Sequence, residues 1–481
     1  MNVDWISVLP GPVRSALYFA LQRLIGSRVR AAWLDLRAWS LLAPQELERA
    51  IDRRLGETLT RAGTSSEYYR DLKLTRQSGE SAGDFLARHP VLTREVLRDN
   101  FARLVTDRQR GAITGPESHA GRGYDWLVVK TGGTTGVPTS VIHDAWFRDY
   151  GRATRLFTQA LCGFPLGVRY FRLWGSEQDL LQSAERFDRQ LLRNLHGEIP
   201  LNAFRAKEAE LRHHLETMHQ HPRVRHLMAY VDAAASLAEF IEEHQLPPPR
   251  FNTIMACAGT VTPEWRALLE RVYHAEVFDK YGSRECAEIA SECCAHEGLH
   301  VISPNVFVEI VDDDGQACAP GQPGHVLVTL LNNHTFPMIR YAIGDLAVWE
   351  EGVIPCTCGL SFPRLRSIQG RADDMLTTES NTLLSSVFVR HFVGVSLNRQ
   401  LILEWQLEQC AALDFVFRYV AKNQQGLPEN LAALESALKT ALGRSSIVHF
   451  EAVAEIPPSP TGKVRWIINR TRRRENQRLT G

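Results

Sequence analysis

Residues 251–282 constrain the fold more than any other stretch. Phe251-Asn252-Thr253-Ile254-Met255-Ala256-Cys257, closed by Ala258-Gly259, reads as a buried strand. Thr262 then supplies an N-cap hydroxyl, Pro263 a preset first helical position and Glu264 an acid for the first turn. The helix that follows, WRALLERVYH, runs into a second strand, AEVFDKYG. Strand, helix and strand in this order give a parallel βαβ unit, since parallel neighbours need a crossover between them.

The rest of the chain is read around this unit. The first 110 residues are mostly helical, with apolar and polar residues at helical spacing in PQELERAIDRRLGETLTRAG. Residues 124–130 and 140–143 read as strands, and residues 203–243 as helical until PPPR stops the pattern. HVISPNVFVEIVDDDG and GHVLVTLLN are further strands, separated by the turn signals DDDG and GQPG. From about Arg371 a smaller unit begins, with LILEWQLEQ and ALDFVFRYVA as strands and ENLAALESALKTALG as its helix. The expected class is therefore α/β (mixed α+β): a large domain over residues 1–370 and a small α+β domain over residues 371–481.

Composition limits the function classes. A chain of 481 residues with 44% apolar and 23% charged residues is globular and ample for a core. Its formal net charge is zero, so no basic bias argues for nucleic acid, and the tail NRTRRRENQR reads as a solvated terminal helix. The N-terminal LPGPVRSALYFALQRLIGSRVR is broken by Arg14, Gln22 and Arg23, which excludes a signal peptide or a spanning helix. It is expected to form an amphipathic helix packed on the body, with no stable membrane insertion and a cytoplasmic location. The stretch HHLETMHQH reads as a helix surface.

The segment TGGTTGVPTS, residues 131–140, follows the apolar run Trp126-Leu127-Val128-Val129. It is no Walker loop, since no lysine follows Gly136, and GxGxxG is absent as well. Glycines 132, 133 and 136 could expose backbone N–H groups to an oxyanion, with hydroxyls from Thr131, Thr134 and Thr135. On its own the segment fits a plain β-turn equally well.

Four other segments follow it: YGSRE from Tyr281 to Glu285, YAIGD from Tyr341 to Asp345, GRADD from Gly370 to Asp374, and PTGK from Pro460 to Lys463. With the glycine-rich segment they stand in the order of the motifs of the adenylate-forming superfamily, which includes the acyl-CoA synthetases and nonribosomal adenylation domains. AGTVTPEWR, HPVLTREVLR, PMIRYAIGD and CTCGLSFPRLRSIQGRADDM further resemble its phenylacetate-CoA ligase-like branch, nearest the CapK-like subgroup. The likeness covers nearly the whole chain. It implies a large adenylation domain and a mobile C-terminal domain that turns between two half-reactions. The first joins ATP and a carboxylic acid as acyl-AMP; the second passes the acyl group to an acceptor, commonly coenzyme A.

The same resemblance assigns roles. Thr131, Gly132, Gly133, Thr134, Thr135 and Gly136 would hold the β/γ-phosphates, and Glu285 would hold Mg²⁺ through hard oxygen donors. Tyr281, Gly282 and Ser283 would border adenine together with Ala258 and Gly259. Asp345 would take the ribose hydroxyls, and Arg371 ribose or phosphate. Asp373 would lie by the nucleotide at the hinge, and Lys463 would reach the α-phosphate and the carboxylate. Residues 174–177 and 256–259 would line the acid pocket. Two positions depart from the pattern: Thr139 stands where a lysine is common, and Gly259 where the branch commonly has a glutamate. TTESNTLLSSVF lacks the glycine-containing turn expected near a coenzyme A channel.

Cys293, His300, Cys356 and Cys358 supply three thiols and an imidazole, the donor set of a closed structural zinc site. His296 is the alternative to His300, and reduced buried cysteines are the alternative to a metal. Cys162, Cys257, Cys286, Cys318 and Cys410 read as packing residues. The expected function is ATP-dependent acid activation with acyl transfer to coenzyme A. An amide or ester synthetase without coenzyme A, and a nucleotide-binding protein without turnover, are the alternatives. The acid is not legible, and a homodimer stays open.

Overall fold

A computed structural model describes residues 9–118, 125–130, 139–174, 187–203, 208–352, 355–371, 376–380, 383–384, 389, 393, 401–423, 425–457 and 466–471. The chain divides into two compact units. Of the described residues, the first takes those as far as Ser367 apart from the short piece Gly344–Ala347; the second takes that piece and those from Ile368 onward.

The first unit begins with helices α1 (Gly11–Leu24), α2 (Val29–Trp39) and α3 (Pro44–Ser65). A hairpin follows, β1 (Trp126–Lys130) against β2 (Ser140–Asp144), in register from Trp126 opposite Asp144 to Lys130 opposite Ser140. The main sheet has eleven strands. They are β3 (Tyr170–Trp174), β4 (Glu198–Asn202), β5 (His226–Tyr230), β6 (Thr253–Cys257), β7 (Glu276–Ser283), β8 (Ala287–Ser291), β9 (Leu299–Val301), β10 (Val306–Val311), β11 (Pro323–Leu330), β12 (Tyr341–Trp349) and β13 (Arg364–Arg371). Their spatial order is β10-β11-β12-β13-β9-β8-β7-β6-β5-β3-β4. The five strands at one end, β4, β3, β5, β6 and β7, run parallel. From β7 to β8 and on to β9 and β13 the direction alternates.

The βαβ unit has the expected form. Every residue of β6 is buried, and the Thr262 hydroxyl accepts from Trp265 N at 3.2 Å to open the helix Pro263–Tyr273. That helix and its neighbour Val231–Glu243 bury Leu268, Leu269, Val272, Leu237 and Phe240 against the sheet. Residues 203–243 differ from the helical expectation: strand β5 divides them. HLMAY has only four apolar residues in a row and sits between two helical patterns, so its period is hidden. His214 is buried rather than at the surface, with its Nε2 hydrogen-bonded 2.8 Å from the Asn202 carbonyl.

The second unit holds β14 (Leu376–Thr377), β15 (Leu383–Leu384), β16 (Ile402–Ala411), β17 (Asp414–Ala421), β18 (Ile447–Ala452) and β19 (Ile467–Asn469). Its four-stranded sheet has the order β18-β17-β16-β19. The helix Leu427–Leu442 joins β17 to its parallel neighbour β18 and packs Leu434 and Leu438 into a core with Trp405, Phe415 and Phe417. Gln409, fully buried, donates to the carbonyls of Thr377 and Ala412 at 2.9 and 2.7 Å and accepts from Asn469 Nδ2 at 3.0 Å. It thereby ties β14 and β19 to β16. Cys410 corrects an expectation: a bulge between Gln409 and Ala411 turns it out to solvent rather than into the packing. Cys318 is half-buried, whereas Cys162, Cys257 and Cys286 are buried as expected.

Asp144 is the junction of the first unit. Its buried carboxylate accepts from Phe147 N at 2.7 Å, capping the helix Ala145–Leu161, and from His334 N and Thr335 N at 2.6 and 3.0 Å. Asn333 Nδ2 donates to the Ile142 carbonyl beside it at 2.6 Å. Asp144→Ala removes a cap and leaves two further N–H groups without an acceptor, so we expect a loss of about 3 kcal/mol. Urea unfolding of the wild type, Asp144→Ala and Asp144→Asn checks it: Asn retains an acceptor and should fall between the two.

Candidate active site

Strands β3, β5, β6 and β7 finish side by side at Trp174, Tyr230, Cys257 and Ser283. Open α/β sheets take ligands beyond this carboxyl edge. At the end of β3 the Trp174 ring meets the Tyr230 ring with centroids 4.4 Å apart. The Arg172 guanidinium lies 4.7 Å over Trp174 and pairs with Glu198 at 3.1 Å. Residues 175–177, expected in the acid pocket, lie outside the described residues. Beyond β6, Ala258 takes the left-handed conformation with φ of 61°. A Cβ on Gly259 would come within 2.8 Å of Val231 Cγ1. That contact accounts for the glycine where the resembling branch carries a larger residue.

The end of β7 forms a tight structure around Tyr281-Gly282-Ser283. The register with β8 slips between Tyr281 and Gly282. A Cβ at Gly282 would lie 2.5 Å from the Ala287 carbonyl oxygen, so only glycine fits. Ser283 Oγ accepts from Cys286 N at 3.1 Å and closes the turn. Across this turn Arg284 faces solvent while Glu285 is buried. The Tyr341 phenol is raised above its ordinary range, first by burial and then by the charge of Glu285. His143 of β2 is hydrogen-bonded to the backbone of Glu285, and burial pulls its imidazole down to about 4, so it is neutral. Its Nε2 is shut off from solvent and has no hydrogen-bond partner.

Asp345 and Arg371 are brought together, with Arg371 Nε 3.3 Å from Asp345 Oδ1. Arg94 donates to the Ile343 carbonyl at 2.9 Å, and Leu92 exchanges backbone bonds of 3.0 Å with Arg340 and Ala342. The segment HPVLTREVLR thus runs along the YAIGD stretch and holds it. Thr131, Gly132, Gly133, Thr134, Thr135, Gly136, Asp373 and Lys463 lie outside the described residues. His143 and Arg94 were not expected at the site. The available signal for His143 was a histidine directly after the apolar pair Val141-Ile142, in the strand that follows the glycine-rich segment.

A second cluster sits at the β8–β9 connection and the loop before β13. The Sγ atoms of Cys293, Cys356 and Cys358 and a ring nitrogen of His300 all lie within 4.8 Å of one another. Cys293 and Cys356 are 3.5 Å apart, and Cys358 is 3.3 Å from His300 Nε2. Pairing of β9 with β13, Arg364 opposite His300, sets the register that brings them together. His300 Nδ1 donates to the Phe362 carbonyl at 3.0 Å, leaving the Nε2 lone pair toward the thiols, and burial keeps the ring neutral. A tetrahedral ion with bonds of about 2.3 Å needs sulfur atoms about 3.8 Å apart, so the spacing fits. Of the two histidines, His296 is turned away: it pairs with Glu276 at 2.8 Å and Glu292 at 3.3 Å. Cys294 is exposed.

No protein-family model matches the chain. In sequence it is 21% identical to protein CapK of Staphylococcus aureus over 384 residues, 79% of each chain. It is 33% identical to phenylacetate-coenzyme A ligase of Thermus thermophilus over 149 residues, 30% of this chain and 33% of that protein. In structure it is similar to 2-hydroxyisobutyryl-CoA ligase in its postadenylation state, with a TM-score of 0.68 at 19% identity over 92% of this chain and 94% of that one. The chain thus has the fold of 2-hydroxyisobutyryl-CoA ligase and is similar in sequence to CapK and, over a shorter stretch, to phenylacetate-coenzyme A ligase.

Proposed function

We propose that the chain joins ATP to a carboxylic acid as an acyl adenylate and then passes the acyl group to coenzyme A. The observation that carries this reading is the turn after β7. It buries the Glu285 side chain just past Tyr281-Gly282-Ser283, at the carboxyl edge of the parallel strands. The named activities of the relatives support the same reading, since phenylacetate-coenzyme A ligase and 2-hydroxyisobutyryl-CoA ligase are both acid-thiol ligases.

In the first half-reaction a carboxylate oxygen attacks the α-phosphorus, the bond to the β-phosphate oxygen breaks, and pyrophosphate leaves. Two anions meet, so the rate depends on positioning and neutralised charge. Glu285 would hold Mg²⁺, which supplies positive charge to the phosphates when bound. Tyr281, Gly282, Ser283, Ala258 and Gly259 would bracket adenine. The Asp345–Arg371 pair would open toward ribose. Residues 131–136 would carry the outer phosphates and Lys463 the α-phosphate. In the second half-reaction a thiol sulfur attacks the acyl carbon, AMP leaves, and the thiol proton passes to solvent. Residues 1–370 would bind nucleotide and acid, and residues 371–481 would bring Lys463 in and take it out, turning at Asp373. Cys293, His300, Cys356 and Cys358 would hold a zinc ion with every position filled, so its part is structural. ATP and coenzyme A are cytoplasmic substrates, so the reading puts the chain in the cytoplasm.

Pyrophosphate exchange into ATP across a library of carboxylic acids tests the first half-reaction. With the responding acid, Lys463→Ala should lower exchange by about 10²–10³, the cost of one lost transition-state charge contact. Equal exchange by the variant removes this lysine from the mechanism.

Proline at position 373 fixes φ near −65° and restrains Ala372 as well. Asp373→Pro should keep exchange within roughly tenfold while losing most thioester formation, because the hinge serves the step after adenylation. Both half-reactions measured on one preparation decide it; unchanged rates in both place no hinge there.

Protein prepared without chelators should carry close to one zinc per chain. Cys356→Ser should lose the metal and melt at a lower temperature, read by elemental analysis and a thermal scan. Metal-free wild type of unchanged stability would leave the cluster as packed thiols.

A further inference from the structure

Helix α1 packs Tyr18, Phe19 and Leu21 against the body, yet its solvent face is apolar too. Arg14, Tyr18 and Gln22, spaced i, i+4 and i+8, are its buried residues. Arg14 donates to the Gly167 carbonyl, and the neighbouring Ser15 hydroxyl to the Leu166 carbonyl at 2.6 Å. The Tyr18 ring sits against His196 with centroids 5.8 Å apart. The face turned to solvent is Val13, Ala16, Leu17, Ala20 and Leu24. At 100° per residue these five fall within an arc of about 100°, the width of an ordinary core-facing stripe. A helix on a globular body normally presents that stripe inward.

The neighbouring segment continues the pattern. Ile25 is exposed in the turn after α1, Leu34 on α2, and Leu41 just after it. Nine large hydrophobic side chains are exposed among the described residues, and six of them, Val13, Leu17, Leu24, Ile25, Leu34 and Leu41, fall in this short stretch. Within residues 9–41 the exposed charges are all positive: Arg23, Arg28, Arg30 and Arg37. The one acid between residues 9 and 41, Asp35, is half-buried and bound by Arg54 at 3.0 Å.

We propose that α1 and α2 dock the protein on an anionic membrane surface, with the Val13–Leu41 apolar residues at the acyl boundary and the arginines among the lipid headgroups. The charge decides between occupants. A symmetric second copy would bring the same arginine-rich face against itself. An anionic lipid surface meets both parts of the face at once, apolar side chains with acyl chains and arginines with phosphate. No helix among the described residues is long and apolar enough to cross a membrane. The contact is therefore in the plane of the interface and reversible. It lies on helices that carry none of the residues assigned to nucleotide, acid or metal, so its failure and that of the proposed reaction are separable.

The test is flotation of the full chain with vesicles of phosphatidylcholine alone and of phosphatidylcholine with phosphatidylglycerol, at low and high salt. The wild type should float with the anionic vesicles and be released by salt. Each headgroup-facing arginine contributes about fivefold, so Arg23→Gln/Arg30→Gln/Arg37→Gln should lower partitioning by about a hundredfold. Leu17→Glu/Leu24→Glu should abolish flotation while the melting curve and adenylation stay as in the wild type, since both side chains are exposed. Sedimentation velocity is run on the same samples. No flotation of the wild type, or flotation indifferent to both variants, overturns the proposal. So does a wild-type dimer that the Leu17→Glu/Leu24→Glu variant returns to monomer without any vesicle binding, which would make the face a self-association surface.

Discussion

Three backbone N–H groups converge on the carboxylate of Asp144, and the first unit is organised around that convergence. One belongs to the first turn of the helix Ala145–Leu161 and two to the loop at His334 and Thr335. Asp144 also ends the strand that follows the glycine-rich segment. A single buried acceptor thus sets the relative places of that strand, the helix lying on the sheet, and the chain entering the YAIGD stretch. Buried N–H groups must find acceptors, and a carboxylate with two oxygens can serve three of them where a neutral side chain could not. His143, one residue earlier, extends the arrangement to the backbone of Glu285.

Much of the fold was legible because local and long-range signals agree. Thr262, Pro263 and Glu264 announce a helix start, and the helix begins at Pro263. The run around Thr253–Cys257 is uniformly apolar, and all five strand residues are buried. The strands 402–411 and 414–421 and the helix Leu427–Leu442 of the smaller unit follow equally plain patterns. Strand β5 escaped because its five residues lie between two helices whose periodicity runs up to it on either side. His214 escaped because its partner, the Asn202 carbonyl, belongs to a strand end that sequence does not bring near.

The candidate site was legible to the extent that it is written in glycines and thiols. Gly282 is required by the Ala287 carbonyl, and its requirement shows in the sequence as a motif. The thiol–imidazole cluster shows as paired cysteines, although only the β9–β13 register separates His300 from His296. What did not show are residues that act on the backbone of others. Arg94 serves the Ile343 carbonyl from nearly 250 positions away, and nothing in its neighbourhood distinguishes it from other helix arginines. The mutual pairing of Asp345 and Arg371 was equally hidden, since motifs give the identity of charged groups and not which of them neutralise each other.

The close approach of Gly259 to Val231 has a consequence for how this chain can diverge. Any side chain at position 259 meets Val231 Cγ1 at its first carbon. Val231 itself is buried at the start of the helix Val231–Glu243, where shortening it would leave a void in the core. Neither position can change alone without cost, so the two substitutions are coupled and a path between glycine and a larger residue must pass through a less stable intermediate. The shape of this part of the sheet's carboxyl edge is therefore held by the packing of a helix behind it.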